Sequence, residues 1–271
     1  MLSWVDGRPQ QAVALMDRGL AYGDGLFETI GVRLGRPQLL ERHLARLTDG
    51  CQRLAIPADI DLIRTELLAF ASEVGEGVAK LIVTRGDGLR GYAAPAAATA
   101  RRILQAAPAP AYPVGHAEQG VRLFPCVTRL AEQPLLAGLK HLNRLEQVLA
   151  RSEWQDSDHA EGLMLDISGR VIEGVYSNLF IVCDGVLVTP ELSRSGVAGV
   201  MRAELLAQAE RLGIPLAVQA LSYEQLLAAD EVFLCNSLYG VWPVCALQAH
   251  RWPVGPLTRK LQRIARDLLD C

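Results

Sequence analysis

The stretch Gly138-Leu-Lys-His-Leu-Asn-Arg-Leu-Glu-Gln-Val-Leu149 sets a single lysine, Lys140, directly behind the apolar segment Pro134-Leu-Leu-Ala-Gly-Leu139. The pattern predicts a helix over about 140–156 with Lys140 at its start. An amine beside an apolar run is partly desolvated, which lowers its pKa toward the reactive range. A solvated charge at a helix start is the other reading, and the segment alone leaves both open. Composition narrows the choice. The chain carries 27 basic residues, yet only Lys80, Lys140 and Lys260 are lysines. Lys260 falls on the polar face of a predicted terminal helix. Lys80 opens a predicted strand, as an edge charge or a pocket residue.

Upstream, the Gly-rich segment Asp17-Arg-Gly-Leu-Ala-Tyr-Gly-Asp-Gly25 leads into a strand-like run, Leu26-Phe-Glu-Thr-Ile-Gly-Val-Arg33, closed by a Gly-Arg-Pro turn. Apolar residues at 40, 44, 47, 51 and 54 recur at helical spacing, and a second helix is predicted over about 59–74. Strands are expected at 80–84 and 102–106, flanking a glycine loop at 86–91. The segment Ala107-Pro-Ala-Pro-Ala-Tyr-Pro113 resists regular structure because three prolines alternate with small residues. The expected division is therefore a small N-terminal domain at 1–106, a linker at 107–120 and a larger C-terminal domain at 121–271. In the second domain, strands are expected at 121–128, 162–167, 170–173, 178–183, 186–189 and 231–235. Ser168-Gly169 and Asp184-Gly185 read as hairpin turns. Helices are expected at about 199–212, ending at Gly213, and near 257–269. The mixture is α/β in the α+β sense, with antiparallel meanders rather than βαβ alternation.

Half of the 271 residues are apolar, about a fifth are charged, and the net charge is −3. This composition gives no electrostatic reason to expect nucleic acid or an anionic membrane as a partner. No apolar run reaches the roughly 20 residues needed to cross a bilayer. The N-terminus carries Asp6 where a signal peptide would build its apolar stretch, so a cytoplasmic protein is expected. The six scattered cysteines read as reduced thiols, and the histidine spacing suggests no structural zinc site. A small-molecule substrate is the expectation.

Two places suit a phosphate-bearing cofactor. Gly196-Val-Ala-Gly-Val-Met201 precedes a predicted helix, whose first backbone amides suit an anion. An ordinary glycine turn is the alternative. Glu173 follows a short strand, where its carboxylate is either a turn acid or a partner for a protonated ring nitrogen.

The Lys140 segment resembles that of the aminodeoxychorismate lyases, which belong to the fold-type IV pyridoxal-phosphate enzymes. The resemblance continues through Asp17–Thr29, His43–Leu47, Arg85–Tyr92, Val171–Phe180, the 196–202 loop and Asp230–Ser237, in family order over nearly the whole chain. It implies two α/β domains with pyridoxal 5'-phosphate in the cleft between them, and a homodimer. It implies Lys140 as the lysine that binds the cofactor covalently and shuttles a proton, and Glu173 as the partner of the pyridine nitrogen. Arg46, the Val200 and Met201 amides and the Ser237 hydroxyl would hold the phosphate. The aminotransferases of the class carry threonine at the Ser237 position, so a hydroxyl is kept. Thr29 falls where the lyases carry threonine and aminotransferases often carry glycine, and would be catalytic. Arg90, Tyr92 and Asn236 would contact substrate carboxylates, while His141 is read as packing within its motif. The implied reaction converts 4-amino-4-deoxychorismate to 4-aminobenzoate and pyruvate. The rival is a D-amino-acid or branched-chain aminotransferase on the same fold.

Overall fold

The computed structural model describes residues 2–270. Contacts group them into two compact units: the chain through Pro110 together with Leu139–Asn143, and Ala111–Gly138 together with the residues from Arg144 onward.

The first unit contains β1 (Ser3–Val5), β2 (Arg8–Pro9), α1 (Arg18–Tyr22), β3 (Gly25–Arg33) and β4 (Arg36–Pro37). It continues with α2 (Leu40–Arg53), α3 (Ile60–Val74), β5 (Gly77–Thr84) and β6 (Arg101–Ala107). The strands form one antiparallel sheet in the order β2-β1-β6-β5-β3-β4. Side chains alternate across a strand, so β3 has two distinct faces. Leu26, Glu28, Ile30 and Val32 are buried toward α2 and α3, whereas Phe27 and Thr29 on the other face are partly exposed. The α2 helix presents Leu44, Leu47 and Cys51 to this core at the spacing the sequence predicted. Asp59 caps α3 by accepting from the Leu62 amide at 3.0 Å. Ile30, Leu47, Ile63, Leu67 and Phe70 are fully buried, each contributing roughly 1.5–3 kcal/mol. That exceeds the ~1 kcal/mol net of a single hydrogen bond, so the apolar face fixes which side of β3 turns inward.

The second unit opens with α4 (Val114–Glu118), β7 (Val121–Leu130), α5 (Leu145–Arg151), β8 (His159–Asp166) and β9 (Val171–Gly174). Next come β10 (Asn178–Cys183), β11 (Val186–Pro190), α6 (Val200–Arg211), β12 (Leu216–Gln219) and α7 (Tyr223–Leu227). The unit ends with β13 (Glu231–Asn236), β14 (Gly240–Leu247), β15 (His250–Arg251) and α8 (Pro256–Asp270). The strand order is β12-β11-β10-β13-β14-β7-β8-β9, and a further pairing of β9 with β10 closes the sheet into a ring. The closing pair is Glu173 opposite Asn178. The pairing covers the edge that β9 would otherwise leave open, while β12 stays at the other end of the sheet. The core gathers Leu123, Leu163, Leu179, Leu234, Val244 and Trp242.

Three expectations are corrected. Lys140 does not start a helix: α5 begins only at Leu145, and residues 139–143 lie extended along the start of β3. The sheet of the second unit is not a pure antiparallel meander, because β7–β8, β7–β14 and β11–β12 are parallel. Within the expected linker, residues 114–118 form α4. Among the described residues no helix is long and apolar enough to cross a membrane.

Candidate active site

Lys140 is held by backbone pairing rather than by a helix. Its carbonyl accepts from the Phe27 amide at 2.9 Å, and the Leu142 amide donates to the Gly25 carbonyl at 3.0 Å. The segment thus runs as an extra short strand beside β3. The Lys140 Nζ lies 4.4 Å from the centroid of the Phe27 ring, in cation–π range. Gly23 shows why the upstream turn is tight. Its φ is +66°, and a Cβ there would meet the Asn143 amide oxygen at 2.5 Å.

On the helix-facing side of β3, Glu28 is buried and bound by two side chains of α2. His43 Nδ1 approaches one carboxylate oxygen at 2.6 Å, and Arg46 Nε donates to the other at 2.8 Å. A second Arg46 nitrogen, Nη2, completes a forked contact with Glu28. Burial pushes the Glu28 carboxyl up, but the Arg46 charge and the hydrogen bonds from His43 and Arg46 outweigh it and hold it at about 2. His43 goes the other way. Burial lowers its pKa against the pull of Glu28, with the Arg46 and Lys140 charges adding to the lowering. A neutral His43 donates from Nδ1 to Glu28, which leaves its buried Nε2 as an acceptor without a hydrogen-bond partner.

A pH dependence follows for Glu28. Its folded pKa lies below the unfolded value, so its stabilisation is full above the ordinary carboxylate range. The contribution is lost as pH falls from about 4.5 through about 2. Thermal unfolding of Glu28→Gln should therefore lack part of the wild-type decline in Tm over that window. Parallel curves for the two proteins would show that Glu28 is not ionised against Arg46.

In the second unit, Glu173 and Asn178 grip one loop from the ring's closing pair. Glu173 Oε2 accepts from the Val197 amide at 2.8 Å. Asn178 accepts from the Gly199 amide at 2.9 Å and donates to the Val197 carbonyl at 2.8 Å. The loop is also tied to Gly138, whose amide donates to the Gly196 carbonyl and whose carbonyl accepts from the Ala198 amide. Gly196 has φ +83°, and a Cβ there would meet Ile172 and Leu192 within 2.8 Å. At Gly199 a Cβ would lie 2.0 Å from Asn178 Oδ1. Both glycines are therefore required by close approach. They deliver the chain into α6, whose N-cap Gly199 offers no side-chain acceptor and whose first turn holds no acid.

Among the described residues the Val200 and Met201 amides consequently have no acceptor, although both residues are buried. Orphan donors at a buried helix N-terminus suit a phosphate group. This feature, with the buried Glu173 carboxylate in the same unit, fits the cofactor that the sequence implies.

The remaining expected residues are more dispersed. Ser237 lies in the turn after β13, which Asn236 Oδ1 holds by accepting from the Leu238 and Tyr239 amides at 2.9 and 3.0 Å. Asn236 thus supports the turn through that oxygen. Arg90 and Tyr92 are exposed in the glycine loop of the first unit. Arg18 fastens that loop by donating to the Gly91 and Tyr92 carbonyls at 3.0 and 2.9 Å, and the Tyr92 ring lies 5.5 Å from Tyr22. Sequence reasoning missed Glu28, His43 and Asn178. For His43 and Arg46 the available signal was their three-residue spacing on one helix.

Comparison with known proteins converges on one group. The family described as amino-transferase class IV matches residues 25–247. The chain is 39% identical over 265 residues to the aminodeoxychorismate lyase of Vibrio harveyi, covering 96% of this chain and 97% of that protein. The crystal structure of 4-amino-4-deoxychorismate lyase from Pseudomonas aeruginosa superposes with a TM-score of 0.98 at 68% identity, over 100% of both chains. A branched-chain amino acid aminotransferase from T.th., solved with pyridoxamine 5'-phosphate, superposes with a TM-score of 0.85. It is 25% identical and covers 98% of this chain and 93% of that one.

Proposed function

Because the chain belongs to the amino-transferase class IV family, we propose that it is a pyridoxal-phosphate-dependent lyase converting 4-amino-4-deoxychorismate to 4-aminobenzoate and pyruvate. The observation that carries this reading is the 68% identity, over the full length of both chains, to 4-amino-4-deoxychorismate lyase. The aminotransferase reading rests on more distant relatives.

When bound, pyridoxal phosphate supplies an electron sink conjugated to the substrate amine. Lys140 would hold the cofactor covalently, and its amine would remove the proton from the substrate's amine-bearing ring carbon. Glu173 is the partner of the cofactor's ring nitrogen, and its buried position supports that role. The Val200 and Met201 amides, Arg46 and Ser237 are the groups that would hold the phosphate. Thr29 delivers a proton to the methylene of the departing enolpyruvyl group, which becomes pyruvate as the C–O bond breaks. The ring left behind is aromatic, and aromatisation drives the step. Arg90, Tyr92 and Asn236 contact the substrate carboxylates. The protein acts in the cytoplasm, in folate biosynthesis, as a homodimer. Exposed apolar side chains on α5, Leu145, Val148 and Leu149, support a partner surface there.

The test is purified protein incubated with 4-amino-4-deoxychorismate, read by 4-aminobenzoate fluorescence and by pyruvate release. Transamination of D-alanine or branched-chain amino acids without release of pyruvate would overturn the lyase reading. A narrower expectation concerns Arg46. A charge-assisted hydrogen bond to a buried partner is worth about 1.5–3 kcal/mol. Arg46→Ala should therefore weaken cofactor retention by roughly ten- to a hundredfold, read by dialysis and absorbance, with turnover largely recovered at saturating cofactor. Unchanged retention would take Arg46 out of the phosphate site.

A further inference from the structure

Asn178 makes two contacts on the loop that leads into α6. Its side-chain oxygen accepts from the Gly199 amide at 2.9 Å, and its side-chain nitrogen donates to the Val197 carbonyl at 2.8 Å. Between those contacts lies Ala198, whose amide donates to the Gly138 carbonyl at 3.0 Å. The Val197 amide goes to Glu173 Oε2 at 2.8 Å. The amides of 197, 198 and 199 are thus each given to a partner in the protein. Those of Val200 and Met201 are the first along the loop that, among the described residues, no acceptor takes.

Asn178 is a fixed point from which to hold the loop. It is buried, and its backbone pairs with Cys235 of β13 on one side and with Glu173 of β9 on the other. A buried amide side chain costs free energy unless its donor and acceptor are used, and here both ends are used on one short stretch of backbone. The fit also explains the glycine at 199. A Cβ there would lie 2.0 Å from Asn178 Oδ1. Gly199 has φ −64° and ψ 142°, a conformation open to any residue, so the contact with Asn178 and not backbone freedom calls for glycine.

We infer that Asn178 is a positioning residue for the cofactor's phosphate, given the proposed phosphate site at the start of α6. It holds residues 197–199 in their bound shape before the phosphate arrives, and so aims the Val200 and Met201 amides. Donors set in advance bind without an ordering cost, which a loose loop would incur at every binding event. Ordering one or two backbone residues corresponds to about a ten- to a hundredfold change in affinity. A ligand that lacks the phosphate makes no use of those amides and gains nothing from Asn178.

The test compares pyridoxal 5'-phosphate with pyridoxal, which lacks the phosphate, on the full-length chain stripped of cofactor, with dissociation constants read by absorbance. Asn178→Ala should weaken the phosphate ester by about ten- to a hundredfold and leave pyridoxal nearly unchanged. Gly199→Ala should do the same in the wild-type background. In the Asn178→Ala background it should add little, because its clash is with the Asn178 side chain. Asn178→Asp keeps the acceptor for the Gly199 amide but turns an oxygen toward the Val197 carbonyl. Its deficit relative to wild type should shrink as pH falls, since a protonated carboxyl regains a donor. Equal weakening of both ligands would make Asn178 a general support of the fold and overturn the inference. Unchanged affinity for the phosphate ester in Asn178→Ala, or fully additive losses in the double variant, would also overturn it. Wild-type chain that binds pyridoxal as tightly as its phosphate ester would overturn the phosphate site together with the inference.

Discussion

Lys140→Ala should lower turnover by at least about ten-thousandfold, because in the proposed reaction one substitution removes both the covalent anchor of the cofactor and the proton carrier. General acid–base catalysis alone contributes about a hundredfold to ten-thousandfold, and loss of the nucleophilic amine adds to it. The assignment has an independent chemical test. Borohydride reduction of the yellow holoenzyme should fix the cofactor on Lys140 and block tryptic cleavage there. The labelled peptide should then run uncut from Leu130 to Arg144. The competitor is specific, since Lys80 shares the Phe27 ring with Lys140. Label on the peptide containing Lys80 would transfer the role to that residue and overturn the account of both lysines. Small added amines should restore part of the activity of Lys140→Ala if the missing group is a base. Absence of any rescue, with normal cofactor content, would argue that the loss is structural.

Much of this was legible in the sequence where the signal is local. The α2 periodicity, the Gly213 stop after α6 and the alternating pattern of β3 each rest on residues within one or two turns of each other. Lys140 shows where local reading fails. Leu145, Val148 and Leu149 do lie on a helix, but α5 starts five residues after the lysine. Pairing of Leu139–Asn143 with Gly25–Phe27 overrides whatever helical preference the segment has. The pairing of β14 with β7 sets Val244 beside Val121, far apart along the chain, which no short window records. The same holds for the site. Residue type and setting make Lys140 and Glu173 candidates, with their roles implied only by the family resemblance, whereas Glu28 reads like one more charge on a strand. Its function as the anchor of Arg46 exists only once β3 and α2 have packed.

That packing also separates two tasks on one strand, which gives Thr29 a distinct test. Glu28 turns toward α2 and fixes Arg46, while the next residue, Thr29, turns to the face that carries Phe27 and Lys80. In the proposed reaction Lys140 is committed to the amine-bearing ring carbon, so protonation of the departing methylene needs a second donor, and a hydroxyl is sufficient. Thr29→Ala should lower kcat by about a hundredfold to ten-thousandfold. Because β3 keeps its register through backbone bonds, the cofactor's absorbance and its retention should stay as in the wild type. Thr29→Ser should keep most of the activity, since the hydroxyl remains. The solvent isotope effect on kcat should be lost in Thr29→Ala if residual turnover takes its proton by another route. Near-normal turnover in Thr29→Ala would reduce the residue to a packing role. A loss shared equally by Thr29→Ser would show that the methyl group, and not the hydroxyl, is what the site requires.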